Sequence, residues 1–275
     1  MATLVMGIVN VTPDSFSDGG RYLDSDAAVG HGLRLWGEGA DMLDIGGEST
    51  RPGAERIDPS LERDRVLPVV EALAQAGAVV SIDTMNAATA VAAVRAGARI
   101  VNDVSGGLAD PGMLEAVAAT DADIVLQHWR GASSDMYANA EYRDVVREVM
   151  AEIADRVAAA AAAGIPPSRV IVDPGIGFGK KGGQNWAVLR ELPRITGLGH
   201  RVLVGTSRKR FLSDVLGEDA SEARRDFATA VTSVLAAQAG AWAVRVHDVA
   251  ATRDALRVVD RWESEDPWTS STRSP

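Results

Sequence analysis

One alternation constrains this chain more than anything else in it. Eight times, a short β-branched run is followed by a polar or glycine-rich break and then by an alanine-rich stretch with helical spacing. The apolar runs lie at 4–9, 42–45, 78–82, 99–104, 123–126, 170–172, 202–204 and 243–246. The helix-spaced stretches lie at 25–38, 60–76, 86–96, 111–119, 141–163, 185–196, 221–240 and 250–262. Runs this short and this β-branched predict strands, and the longer apolar stripes predict amphipathic helices. Strands joined through helices run parallel, because a parallel partner is reached only by a long crossover. Eight such units in 275 residues predict an α/β fold, a single-domain (β/α)8 TIM barrel, with a doubly wound open sheet as the alternative. Asp58-Pro59-Ser60 and Asp110-Pro111 mark helix starts, and Gly39, Gly77, Gly97, Gly164 and Gly240 mark helix ends. Residues 263–275 are polar with two prolines and predict a flexible tail behind a barrel domain at 1–262.

Composition narrows the function. No apolar run approaches the ~18–20 residues that cross a bilayer, and the N-terminus lacks a basic leader, so a cytoplasmic protein with no membrane partner is expected. There is no cysteine, which excludes thiolate nucleophiles and thiolate metal sites. Any metal must be held by oxygen or histidine. With 28 basic against 38 acidic residues, a net charge of −10 and no basic tract, nucleic acid is not an expected partner. An anionic small molecule is compatible with that balance, since a local cluster of basic groups can outweigh net charge.

In a parallel barrel the active site forms at the carboxyl ends of the strands. Nearly every run here ends in a polar residue: Asn10, Asp44, Asp83, Asn102 with Asp103, His128, Asp173, Ser207 with Lys209, and Arg245 with His247. Any one of these alone reads as a strand-end turn former; eight together predict a common mouth. They divide by chemistry. Asp83, Asn102 and Asp173 offer acceptors and an amide, which match the paired N–H edge of a polar heterocycle. Lys209, Arg245 and His247 come from the seventh and eighth units, where this fold recurrently binds phosphate. Two long glycine-bounded loops, at 10–20 and 46–53, read as lids over that mouth and imply a second substrate. Trp36, Trp186, Trp242 and Trp262 fit barrel packing, and His31 fits the surface of the first helix. The glycines at 175, 177 and 179 lack the spacing and the following acid of a dinucleotide fingerprint, so NAD is not expected.

Seven segments then carry a resemblance: MGIVNVTPDSFSDGG at 6–20, DIGGESTRPG at 44–53, SIDT at 81–84, VNDVSG at 101–106, DPGIGFGK at 173–180, GTSRK at 205–209 and RVHD at 245–248. In this order they closely resemble the dihydropteroate synthase family. The resemblance implies a (β/α)8 barrel that condenses 6-hydroxymethyl-7,8-dihydropterin diphosphate with 4-aminobenzoate, giving 7,8-dihydropteroate and pyrophosphate in folate biosynthesis. It implies a pterin site of Asp83, Asn102, Asp173 and Lys209, and a diphosphate site of Arg51, Arg245 and His247. It further implies Asn10 as a ligand of Mg2+, a 4-aminobenzoate pocket of Phe16, Thr50, Pro52, Phe178 and Ser207, and Asp18 facing the reacting methylene. Lys209, Arg245, His247 and Asp18 would carry the catalysis, by an SN1-like displacement. Sulfonamide sensitivity and a homodimer formed through helices opposite the lids are also implied.

Two positions depart from the family pattern. Gln127 stands where methionine is common, and a polar amide there requires a partner. Gln184 stands where a histidine usually precedes Asn185. Two other activities use parts of this constellation. A methyltetrahydrofolate:corrinoid methyltransferase would need the pterin carboxylates but neither the anion pocket nor the first lid. A catalytically silent pterin-binding paralogue would lack the lids or the diphosphate pocket, whereas Asn10, Asp18, Arg51, Lys209, Arg245 and His247 are all present.

Overall fold

The computed structural model describes residues 2–11, 21–49, 56–131 and 137–264, with side chains of the first helix from residue 25 onward. The expected strands all form: β1 (Leu4–Asn10), β2 (Met42–Gly46), β3 (Val80–Asp83), β4 (Ile100–Asp103), β5 (Asp123–Gln127), β6 (Val170–Asp173), β7 (Arg201–Val204) and β8 (Ala243–Val246). Each pairs in parallel with its sequence neighbours, and β1 pairs with β8, so the sheet closes into an eight-stranded barrel in the order of the chain. The open-sheet alternative is thereby excluded.

The helices are α1 (Arg21–Gly37), α2 (Pro59–Gln75), α3 (Ala87–Arg95), α4 (Met113–Ala118), α5 (Val145–Ala162), α6 (Gly183–Arg190), α7 (Leu192–Thr196), α8 (Ser213–Leu216), α9 (Glu222–Gln238) and α10 (Val249–Glu263). The start of α2 is capped as the sequence signalled, whereas α4 begins at Met113 with no side-chain cap, and Asp110 Oδ1 accepts from Gly112 N at 2.9 Å. The Asp58 carboxylate accepts from Ser60 N at 2.8 Å with Pro59 in the first helical turn, and Asp144, Ser221 and Asp248 cap α5, α9 and α10. The glycines at 39, 77, 97, 164 and 240 take φ between 86° and 115°, the left-handed exit that leaves a helix without a Cβ penalty. The region expected as one helix at 185–196 is two, α6 and α7. Pro193 has no N–H to give to Leu189, and the chain bends at Glu191.

Strand alternation builds two cores. Outward residues such as Val5, Leu43, Ile82, Val101, Ile124, Val172, Val204 and Val244 pack beneath the helices. Inward residues Met6, Met42, Ile100, Val125, Ile171, Leu203 and Ala243 form a separate apolar plug inside the barrel. Because side chains repeat every two residues, the next inward position on each strand lies one layer nearer the carboxyl ends. Those positions are Asp44, Asn102, Gln127, Asp173 and Arg245, with Asp83 two residues beyond the inward Ser81, while β1 contributes Ile8 and the chain after β7 Gly205. A polar layer therefore sits directly on an apolar floor.

Candidate active site

Register brings the polar layer together. Asp44 is fully buried, and its Oδ2 accepts from Asn102 Nδ2 at 2.9 Å and from Arg245 Nε at 2.6 Å. Arg245 also donates through Nη2 to Asp83 Oδ2 at 2.7 Å. One guanidinium thus spans β2, β3 and β8. Burial pushes Asp83 up to about 7; Arg245 opposes that rise and the Asp44 carboxylate adds to it. Burial acts against the charge on Arg245, yet Asp44 and Asp83 outweigh it and hold that guanidinium above its ordinary value. Two of the five guanidinium N–H groups are engaged here, leaving three.

Across the mouth, Asp173 Oδ1 accepts from Gly175 N at 2.6 Å, and burial raises its pKa against the pull of Lys209. Lys209 Nζ donates to Ile176 O at 2.5 Å and lies 4.7 Å from the centroid of the Phe178 ring. Burial draws Lys209 down to about 8. Ser207 Oγ meets His247 Nδ1 at 2.7 Å and accepts from His247 N at 3.1 Å. Between Ser207 and Lys209 stands Arg208, whose φ of 55° makes it the one non-glycine residue at positive φ among the described residues. Its fork grips Asp226 on α9, with Nε to Oδ1 at 2.7 Å and Nη2 to Oδ2 at 2.8 Å. That grip holds a backbone turn which presents the residues on either side of it to the mouth.

Of the expected site residues, Asp83, Asn102, Asp173, Ser207, Lys209, Arg245 and His247 are brought to the carboxyl ends of the strands, and Phe178 is buried beside Lys209. Asn10 closes β1, half-exposed and in register with Gly46. Phe16, Asp18, Thr50, Arg51 and Pro52 lie outside the described residues, as do residues 265–275 of the expected tail. Two strand-end polar residues do not join the mouth, because they fall on the outward parity. Asp103 caps its own loop, taking Ser105 N and Gly107 N at 2.8 Å each, and His128 faces Glu152 on α5 at 3.0 Å. Both unusual glutamines find partners: Gln127 Nε2 reaches Val104 O at 3.3 Å, and Gln184 accepts from Lys181 N at 2.7 Å and donates to Ala140 O at 3.2 Å.

Other expectations need correction. Trp36 is 39% and Trp262 86% exposed, so neither packs into the barrel, whereas Trp186 and Trp242 pack against the outer and inner cores; His31, bonded to Arg34, is partly exposed on the first helix. Sequence reasoning gave Asp44 no role beyond its strand end and passed over Lys180, which is wholly buried. The signal for Asp44 was present in its inward parity with Met42; for Lys180 no periodicity could have spoken.

Comparison with known proteins agrees with this geometry. The family profile described as pterin binding enzyme matches residues 6–247. A dihydropteroate synthase of Mycobacterium leprae is 52% identical, over 98% of this chain and 96% of its own length. A Xanthomonas albilineans dihydropteroate synthase solved with 4-aminobenzoic acid superposes with a TM-score of 0.89 at 47% identity, covering 96% of this chain and 94% of that one. The enzyme from that organism in complex with 7,8-dihydropteroate gives a TM-score of 0.86 at 45% identity, with 96% and 94% covered. The barrel, its polar mouth and these full-length matches agree, and the chain belongs to the dihydropteroate synthases of the pterin binding enzyme family.

Proposed function

We propose that the mouth divides the dihydropteroate synthase reaction between two sides, pterin on the carboxylates and leaving group on the cations. The reaction joins 6-hydroxymethyl-7,8-dihydropterin diphosphate to 4-aminobenzoate. The observation that carries this reading is the inward polar layer itself, in which Asp83, Asn102, Asp173 and Arg245 stand on one apolar floor with Lys209 at its edge. Asp173 takes the pterin amino and ring N–H groups, Asp83 and Asn102 complete the edge, and Lys209 donates to its acceptors. Arg51, Arg245 and His247 hold the diphosphate, with Arg245 using the N–H groups its two carboxylates leave free. Phe16, Thr50, Pro52, Phe178 and Ser207 form the aminobenzoate pocket, and sulfonamides, which mimic that substrate, are expected to compete for it.

The bond from the methylene carbon to the diphosphate oxygen breaks, and pyrophosphate leaves with the electron pair. The electron-rich pterin shares the positive charge left on the methylene, and Asp18 faces it. The arylamine nitrogen then forms the new C–N bond and loses a proton to solvent, so no strong general base is required. Positioning and charge neutralisation carry the acceleration.

Among the described residues no three acidic or histidine side chains converge on a metal site. That fits Mg2+ arriving with substrate phosphate, since this ion keeps several waters and needs few protein oxygens. Asn10, at the rim on β1, would hold it, and bound there it would neutralise charge on the departing pyrophosphate. Purified protein is expected to release pyrophosphate only when pterin diphosphate, 4-aminobenzoate and Mg2+ are all present. Release that does not depend on 4-aminobenzoate would refute the assignment. A homodimer is part of the same reading.

A further inference from the structure

Lys180 is among the largest fully buried side chains of the protein, and none of the assigned steps uses it. A lysine wholly inside a protein is costly unless each of its protons finds an acceptor. Here all three do: Nζ lies 2.9 Å from His128 Nδ1, 2.9 Å from Gly175 O and 3.1 Å from Phe178 O. Since the ammonium only donates, His128 Nδ1 accepts, which places the imidazole proton on Nε2, facing Glu152 Oε2 at 3.0 Å. Glu152 is gripped in turn by Arg130, whose guanidinium lies 3.8 Å from the Tyr142 ring centroid. The Tyr142 hydroxyl donates to Gly179 O at 2.8 Å. The circuit therefore leaves the loop between β6 and α6 at Lys180 and returns to it one residue earlier.

That loop has little room to move. Gly175, at φ 66°, passes so close to β5 that a Cβ would stand 2.2 Å from His128 O, and at Gly177 one would stand 2.8 Å from Lys209 Cδ. The same loop offers Ile176 O to Lys209 and carries the Phe178 ring. We infer that Lys180 is a positioning residue for the aminobenzoate half of the reaction, curving the β6–α6 loop from inside so that Phe178 walls the arylamine pocket against Lys209. The inference rests on the assignment of Phe178 to that pocket. Lys180 touches no substrate in this arrangement; it acts through the two carbonyls it holds. Its effect should fall on aminobenzoate more than on pterin, because Phe178 is carried by the loop itself, whereas Asp83 and Asn102 stand on strands apart from it and Asp173 and Lys209 meet it only through Gly175 N and Ile176 O.

The test compares K180M, which keeps the unbranched shape without the protons, with Y142F, which removes the single bond to Gly179 O and keeps the ring. Wild-type protein is assayed first. If its pyrophosphate release does not depend on 4-aminobenzoate, the assigned reaction fails, whatever Lys180 does. With that dependence established, K180M is expected to raise the KM for 4-aminobenzoate about tenfold or more while pterin affinity by calorimetry stays within about threefold. Y142F should raise the same KM by about threefold. A folded K180M with unchanged aminobenzoate KM overturns the inference. So does a variant in which kcat, pterin affinity and aminobenzoate KM all worsen in step with a lower Tm. If K180M does not fold, Y142F decides: a raised aminobenzoate KM supports the inference and an unchanged one overturns it.

Discussion

Asp83 and Arg245 show what a sequence says about single residues and what it leaves out. Both were identifiable as strand-end polar groups, but they were sorted to opposite sides of the ligand by sign. In the folded chain Arg245 binds Asp83 and Asp44, partners 162 and 201 residues away. Only strand register sets such pairings, and register is written in no local pattern. Parity was the readable part: it admits Asp44 to the mouth and turns Asp103 and His128 out of it. The coupling has a pH signature. In the proposed site the N–H donors of the pterin need Asp83 ionised, and Asp83 loses its proton only as pH rises through about 7. Lys209 loses its charge above about 8. Pterin affinity by calorimetry should therefore rise through the first value and fall above the second, and Asp83→Asn should abolish the lower limb while leaving the upper one. A flat wild-type profile would contradict this. Stability should run the other way over the lower range. Folded Asp83 keeps a proton that the unfolded chain releases near 3.8, so ligand-free protein loses stability as pH rises from there through about 7. Asp173→Ala should weaken pterin binding by about 1.5–3 kcal/mol, the scale of a charge-assisted hydrogen bond, with an unchanged far-ultraviolet spectrum. Unchanged pterin affinity would remove Asp173 from its proposed role.

At the level of elements, apolar runs located all eight strands to within two residues, because a parallel barrel buries both faces of every strand and leaves its signature in plain hydrophobicity. Helix ends were legible from their closing glycines, but α5 starts at Val145 behind Asp144 and not at the expected residue 141. What escaped were elements fixed by loop geometry: the short α8, the break at Pro193, and the turn from Thr206 to Lys209. That turn depends on Arg208 in a conformation costing a non-glycine residue about 1–2 kcal/mol, opposed by its fork on Asp226, which is only 8% exposed. The two contributions are separable. Arg208→Ala removes the fork and keeps the strain, so it should lower unfolding free energy by about 2–3 kcal/mol in a denaturant titration. Arg208→Gly removes both and should be the more stable variant by about 1 kcal/mol. Equal stabilities for the two would mean that the turn relaxes out of the left-handed region once the fork is gone.

For the whole molecule, net charge is a poor guide to the ligand. The described mouth holds three buried carboxylates, Asp44, Asp83 and Asp173, against Lys209 and Arg245. On the proposed reading, Arg51 and the Mg2+ that arrives with substrate would add the positive charge that makes it an anion site. The outer surface carries a different message. On α9, Phe227, Val231 and Leu235 recur every fourth residue and are 70%, 44% and 57% exposed; on α10, Val258 and Trp262 are 68% and 86% exposed. The two helices are tied at their ends by Gln238 Nε2 to Glu263 Oε1, at 3.0 Å, so their stripes lie on neighbouring elements. These helices follow β7 and β8, beside β1. Large apolar side chains clustered this way suit a second copy of the chain, since a two-fold contact pairs a patch with itself and requires about 800 Å² from each partner. Wild-type protein should sediment at twice the mass of the chain. Phe227→Glu combined with Leu235→Glu should sediment as a monomer with an unchanged far-ultraviolet spectrum, because exposed positions of this kind cost the isolated barrel less than about 0.5 kcal/mol each. A wild-type monomer at micromolar concentration would show that this face serves another purpose. A double variant that remained dimeric would move the interface elsewhere. The same helix α9 grips Arg208 through Asp226 from its inner side, so the monomeric variant also reports whether the turn bearing Lys209 needs the second copy: pterin affinity should stay unchanged if the fork alone holds it.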